Sequence, residues 1–462
     1  MLFSSLTFIY YFLPITLVIY YILPDKFKLK NTWLFLTSFL FYFWGEPKYS
    51  ILMLASIING WLGGILIEKS EYKKSVATIF ITIQFALLGI FKYTDFLIDS
   101  INNLVGTKFD LLNIALPIGI SFYSFQIISY LIDVYRKNEK VEKNFIDLGA
   151  YITMFPQLIA GPIVRYTSIR EEMKNRVLNV EIVSQGITRF MVGLAKKVLL
   201  ADSLYEFITK LEAVNNGNMI IYWIVGLCYT LQIYLDFSGY SDMAIGLGKM
   251  LGFTFTENFN YPLESRSITE FWRRWHLSLS TWLKDYIYIP LGGSRCSTKR
   301  WIINILLTWG FSGLWHGANW NFVIWGLYFG VWLILEKLVL IQFIKKDKWY
   351  NNLTTMLIII VSFVIFSYSD MAILGNTLKG MVNFKHLGLD SIQIYEIASH
   401  LFLVIICILA SISLPKKIFI KIDEKTHGKI RILTPLFNLT LLILITAFLI
   451  QSSVHPFLYF RF

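Results

Sequence analysis

The chain predicts an all-α polytopic membrane protein, and three observations carry that prediction. Of its 462 residues, 56% are hydrophobic and only 16% charged, against roughly a quarter charged in an ordinary soluble domain. Apolar runs recur from one end to the other, many of them about 18 residues or longer and so able to cross a bilayer core as a helix. Clusters of lysine and arginine separate alternate runs, which is the pattern of loops held on the cytoplasmic side. A transmembrane β-barrel would need alternating strands of about ten residues, and no such series is present.

The first run, Leu6 to Leu23, has no basic residue ahead of it and no small-residue cleavage pattern after it, so it reads as a retained first helix. Lys26, Lys28 and Lys30 follow. A hydrophobic pair, Trp33 to Trp44 and Tyr49 to Ile67, leads to Lys69, Lys73 and Lys74. The run ending near Val134 meets Arg136, Lys137, Lys140 and Lys143. Lys345, Lys346 and Lys348 come after Asn321 to Ile344, and Lys416, Lys417, Lys421, Lys425, Lys429 and Arg431 precede the last helix. The alternate loops are poor in basic residues: Asp99 to Asp110 holds only Lys108, and Glu212 to Asn218 none. An N-terminus outside the cell membrane puts every cluster in the cytoplasm. About eleven transmembrane or re-entrant segments result. The net charge of +12 is accounted for by this asymmetry, so nucleic acid is not expected as a partner. No internal repeat or linker divides the sequence, which reads as one integral membrane domain over residues 1–462.

Two segments are not plain spans. Phe145 to Tyr166 carries Pro156 and Pro162 inside an apolar stretch. Proline breaks the helical ladder, so this stretch must be buried in protein or line a polar cavity. Tyr240 to Arg300 is mixed, aromatic and basic, and too long for an ordinary loop. Within it, Trp272, Trp275, Leu279, Trp282 and Leu283 share one face of a helix expected over Phe271 to Leu283, and Pro290-Leu291-Gly292-Gly293 forces a turn. An interfacial helix with an aromatic belt would explain the tryptophans and arginines. It would leave His276 unexplained.

His316 lies among Gly310, Gly313 and Gly317, at the break between Trp301 to Trp315 and Asn321 to Ile344. Ionisable groups at membrane depth are rare and usually line a cavity, and a neutral imidazole is the usual general base near pH 7. The competing reading is an interfacial histidine bonded to a backbone carbonyl. His386, His400, His427 and His455 read as solvated or interfacial. Cys228, Cys296 and Cys407 are isolated, giving neither a disulfide framework nor a metal spacing, and His276 and His316 lack a clear third ligand.

"FWRRWHLSLSTWLKDYIYIPLGGSR", Phe271 to Arg295, followed by "LWHGANWNFVIWG", resembles the membrane-bound O-acyltransferase superfamily, and within it the bacterial branch that resembles alginate O-acetyltransferases. "LPIGISFYSFQIISYLIDVYR" from Leu116, "FPQLIAGPIVRY" from Phe155 and "YLDFSGYSDMAIGLGKMLGF" from Tyr234 are similar to the same branch. The motif-bearing core runs over about residues 116–340. The resemblance implies a ring of helices around a thin core pierced by a tunnel, and an acyl thioester donor such as acetyl-CoA arriving from the cytoplasm; no bound cofactor or metal is expected. It implies that His316 is the general base and His276 the second conserved polar position. Asn319 or His276 would then supply a donor to the oxyanion, Asp285 would hold a helix or orient His276, and Arg273, Arg274 and Lys284 would attract the donor's phosphates.

The function expected is transfer of acetyl groups across the membrane for O-acetylation of a cell-surface polysaccharide, through a separate extracytoplasmic partner. The abundance of Ile, Lys and Asn suggests an AT-rich bacterial genome. D-alanyl transfer to teichoic acid is the nearest alternative, which the Pro-Leu-Gly-Gly turn disfavours. A transporter without chemistry is the other, and the lack of repeat-like symmetry speaks against it.

Overall fold

The computed structural model describes residues 2–24, 26–159, 161–340, 342, 348 and 350–451, and among them there is no strand. Among the described residues, seven helices are long and apolar enough to cross a membrane: Ser50–Lys69, Lys73–Val105, Met219–Met250, Trp320–Leu340, Tyr350–Ser367, Ser391–Ala410 and Lys429–Gln451. The other segments counted from the sequence are shorter, more polar or broken. The described residues cluster into two compact units, Met1–Phe190 with Ser241–Thr256, and Met191–Tyr240 with Glu257–Phe462.

In the first unit, α1 (Leu13–Ile22) and α2 (Phe27–Gly45) precede α3 (Ser50–Lys69), α4 (Lys73–Val105) and α5 (Ile120–Tyr135). Helices α3, α4 and α5 pack as a triplet held by a buried polar ladder. Gln84 Nε2 donates to Ser124 Oγ at 3.0 Å, and Asn59 Nδ2 donates to Gln84 Oε1 at 3.3 Å. Between apolar helices such bonds supply the attraction that the hydrophobic effect cannot.

The proline-bearing stretch is broken as expected, into α6 (Phe145–Thr153) and α7 (Phe155–Leu158). It is buried in protein: Leu148 and the residues from Ala150 to Leu158 are almost wholly covered. Its freed backbone groups find partners, since Phe155 N donates to Ser38 Oγ at 3.1 Å and the Val164 carbonyl accepts from Tyr151 Oη at 2.9 Å. After α8 (Tyr166–Lys174), two helices contribute residues to both units, α9 (Val180–Ala195) and α11 (Met219–Met250), with α10 (Asp202–Ala213) between them in sequence.

The second unit holds the histidine-bearing segments. The expected single helix over Phe271 to Leu283 is instead two short ones, α12 (Ile268–Trp272) and α13 (Leu277–Leu283). The break falls at His276, a non-glycine residue with φ +45°. Its aromatic face is nonetheless buried. Trp272 packs on Trp309 with centroids 4.2 Å apart, Phe271 stacks on Phe329, and Trp275 meets Phe363 at 5.1 Å. The N-terminus of α12 is capped in trans, because buried Glu336 accepts from Ile268 N at 2.6 Å and Thr269 N at 3.1 Å. The turn at Pro290 to Gly293 forms, with Gly292 and Gly293 both at positive φ.

Helices α14 (Thr298–His316) and α15 (Trp320–Leu335) then make a tight hairpin. A Cβ at Gly313 would sit 3.0 Å from the Phe322 carbonyl carbon and closer still to its oxygen, and one at Gly326 would be 3.1 Å from Gly313 N. Helices α16 (Tyr350–Ser367), α17 (Met371–Gly380), α18 (Ser391–Ala410), α19 (Leu414–Lys425) and α20 (Thr434–Gln451) complete the described chain.

Candidate active site

His316 is the last residue of α14, and His276 sits between α12 and α13. The second unit brings them together, with ring centroids 6.4 Å apart and planes 65° apart. His276 is 0% exposed and His316 4%. The spacing is too wide for a direct nitrogen–nitrogen hydrogen bond, which needs about 2.7–3.2 Å.

Aromatic side chains wall both imidazoles. Phe237 from α11 meets the His276 ring edge-on at 4.7 Å, and Trp315 lies 5.9 Å away. His316 is met edge-on by Trp325 at 4.8 Å and by Phe366 at 5.5 Å. The surroundings exclude water from the rings, which strengthens any electrostatic interaction made between them.

The backbone break at His276 has a local cause. The loop before α12 runs alongside residues 274–278: Asn260 N donates to the Arg274 carbonyl at 2.9 Å, and Leu277 N donates to the Asn258 carbonyl at 3.0 Å. The Asn258 side chain then accepts from Ser278 N and lies 3.2 Å from His276 Nδ1. The first amides of α13 are therefore capped by Asn258 from another segment. A left-handed conformation at a non-glycine residue costs about 1–3 kcal/mol, and these bonds hold it in place. Asn258 is fully buried. The sequence reading did not single it out. Its only signal was a polar residue inside the long aromatic segment.

The remaining site residues fall as follows. Asn319 is the half-buried N-cap of α15, its Oδ1 accepting from Asn321 N at 3.5 Å. Asn321, also overlooked in the sequence, is fully buried and donates to the Phe366 carbonyl at 3.0 Å, tying α15 to the end of α16. Asp285 is half-buried in the π-helical turn Lys284–Tyr288. Arg273 and Lys284 are exposed, whereas Arg274 is half-buried and pairs with Glu270 at 2.6 Å. His386 and His427 are exposed, His400 stacks on Phe207 at 4.4 Å, and His455 lies outside the described residues. Cys228 and Cys407 are buried and Cys296 exposed, all three as free thiols. Among the described residues no cluster of three or more His, Cys, Asp or Glu side chains could hold a metal ion.

Two of the three glycines around His316 are explained by packing. Gly313 lets α15 approach, and at Gly317 a Cβ would run into the Phe322 ring. Gly310 faces no such constraint, since the nearest atom to an added Cβ is Leu327 Cδ2 at 3.8 Å.

The sequence model of MBOAT, the membrane-bound O-acyltransferase family, matches residues 132–374, which include both histidines. The "Probable alginate O-acetylase AlgI" of Azotobacter vinelandii is 40% identical over 411 residues, covering 86% of this chain and 81% of that protein. The "Peptidoglycan O-acetyltransferase" of Helicobacter pylori is 32% identical over 493 residues, covering 98% of this chain and 90% of that protein. The "Teichoic acid D-alanyltransferase" of Bacillus subtilis is 28% identical over 265 residues, covering 54% of this chain and 67% of that protein.

Proposed function

The chain belongs to the membrane-bound O-acyltransferase family, and we propose that it O-acetylates a cell-surface polysaccharide with acetyl groups drawn from a cytoplasmic thioester donor such as acetyl-CoA. It is a multi-pass membrane enzyme of the O-acyltransferase class. The acetyl assignment is supported by the relatives: those named for O-acetylation of alginate or peptidoglycan are 40% and 32% identical over most of the chain, while the one named for D-alanyl transfer is 28% identical over about half. A separate extracytoplasmic protein would complete delivery to the glycan. The N-terminus would lie outside the cytoplasmic membrane, with the basic loops inside.

The observation that carries the mechanism is the pair of buried imidazoles, from two separate motifs, 6.4 Å apart. In the proposed reaction the acceptor hydroxyl lies between the rings. His316 takes its proton as the oxygen attacks the thioester carbonyl, a contribution of typically about 10²–10⁴-fold. The C–S bond then breaks and the proton passes to the departing sulfur. Positioning and donors aimed at the oxyanion supply the rest, with the Asn319 amide as the proposed donor. Arg273, Arg274 and Lys284 would draw the donor's phosphates to the cytoplasmic side.

The test uses purified protein in lipid vesicles with acetyl-labelled coenzyme A and, in parallel, a labelled D-alanyl thioester. Transfer of the acetyl label, abolished in His316→Ala at normal expression and insertion, is the expected result. A His316→Ala enzyme that still transfers acetyl near the wild-type rate would remove His316 from the chemistry. Transfer of D-alanyl alone would replace acetyl as the group moved.

A further inference from the structure

The hydrogen bonds around Asn258 determine where the hydrogen sits on His276. The backbone N–H of Ser278 can only donate, and the atom it meets at 3.2 Å is Asn258 Oδ1. Ser278 Oγ donates to the same oxygen at 2.9 Å. With the amide turned over, two N–H donors would face each other in the protein interior, so the orientation of Asn258 is set by its partners. That same oxygen lies 3.2 Å from His276 Nδ1. An amide oxygen only accepts, so the ring nitrogen facing it carries the hydrogen. In a neutral imidazole the lone pair is then on Nε2. His276 Nε2 is buried and has no hydrogen-bond partner among the described residues.

We propose that Asn258 is a positioning residue that locks His276 in its Nδ1–H tautomer, presenting Nε2 as a proton acceptor to the reacting groups beside His316. This rests on the acyl-transfer reading and alters one part of it, since His276 Nε2 shares with His316 the proton that His316 alone takes there. A neutral His276 in this tautomer has no hydrogen to give from Nε2, so it does not serve the oxyanion as a donor. When the acceptor O–H bond breaks and the O–C bond forms, the proton is held by the His276–His316 pair. When the C–S bond breaks, the proton goes to sulfur, and no co-reactant is needed.

An amide suits this task where a carboxylate would not. It accepts the Nδ1 hydrogen without adding the negative charge that would hold the ring protonated. The charged groups on the elements packed on the ring are paired or exposed: Arg274 pairs with Glu270 at 2.6 Å, and Arg273 is exposed. Asp236, beside Phe237 on α11, is paired with Lys197 at 2.9 Å. Glu257 in the preceding loop is exposed, and the titratable ring of His316 lies with its centroid 6.4 Å away.

Three measurements decide the proposal. In the full-length protein in lipid bilayers, labelled with [¹⁵N]histidine, solid-state NMR reads both ring nitrogens above the titration range of free imidazole. The His276 signals are assigned by their loss in His276→Gln. A protonated Nδ1 and a bare Nε2 are expected, and a protonated Nε2 or an even mixture overturns the tautomer without reference to turnover. Asn258→Asp keeps an acceptor for all three contacts and adds an anion against Nδ1–H. That favours the imidazolium, so the acidic limb of the kcat–pH profile should move to higher pH by about one to three units. Asn258→Ala should lower kcat far more than it changes the donor KM. A folded Asn258→Asp enzyme with an unmoved acidic limb removes His276 Nε2 from the proton transfer. Failure of acetyl transfer in the wild type would sink the acyl-transfer reading while the NMR result still decides the tautomer.

Discussion

Gly313→Ala should damage the enzyme through geometry alone. The added methyl group would be 3.0 Å from the Phe322 carbonyl carbon, nearer to its oxygen, and 3.3 Å from Val323 Cα. Carbon atoms in comfortable contact are about 3.5–4.0 Å apart. All these atoms are backbone of α15, so no side chain can rotate away, and relieving the closest contact, to the Phe322 oxygen, needs the helices to separate by roughly 1 Å. Overpacking of this kind costs about 1–3 kcal/mol. The movement falls one turn before His316, whose ring rests on Trp325 of the opposite helix at 4.8 Å. A misplacement of about 1 Å at a reacting group can cost on the order of 10²-fold in rate, so kcat should fall roughly 10- to 100-fold. Gly310→Ala supplies the control on the same helix. Its methyl group would meet only Leu327 Cδ2 at 3.8 Å, and alanine is the better helix former by about 1 kcal/mol. The assay is acetyl transfer in vesicles, with thermal stability followed by size-exclusion chromatography after heating. Equal activities and melting temperatures for the two variants would refute the close-approach argument.

His276→Ala should lower kcat much more than it raises the apparent donor constant, the signature of a contact made mainly in the transition state; unchanged turnover with weakened donor affinity would assign His276 to binding instead. For the topology, a cysteine at Lys140 in a cysteine-free background should resist an impermeant reagent applied from outside, while one at Asn216 should react. Both positions are exposed on the protein surface, so the reverse labelling pattern would invert the orientation. Lys346, also expected inside, lies outside the described residues.

The two histidines were legible because each interrupts a run whose composition otherwise needs no imidazole. The break at Pro156 was legible for the same reason, since proline declares its effect locally. Asn258 was not. Its role depends on a loop lying beside α13, and the bonds joining them span 18 and 20 residues of sequence. The split of one expected helix into α12 and α13 was hidden by the same long-range contacts, because the apolar spacing of Trp272, Trp275, Leu279 and Trp282 fits a continuous helix equally well. Asn321 looked like a polar residue at the head of an apolar run, and only the end of α16 shows why it is there. Local chemistry was readable, and hydrogen bonds between distant segments were not.

The trans cap on α12 has a consequence for how the chain is made. Ile268 and Thr269 direct their amides to Glu336, and the first of these bonds spans 68 residues. During synthesis the start of α12 emerges well before its acceptor exists, and exposed amides are costly in a lipid interior. The start of α12 is therefore uncapped when it is first made, and water or another chain must satisfy those amides until Glu336 follows. Only when the hairpin of α14 and α15 has been threaded does the carboxylate of Glu336 arrive to dock them. The cap that fixes the start of α12 can therefore close only after Glu336 has been made, so the order of synthesis sets the order in which its two halves meet.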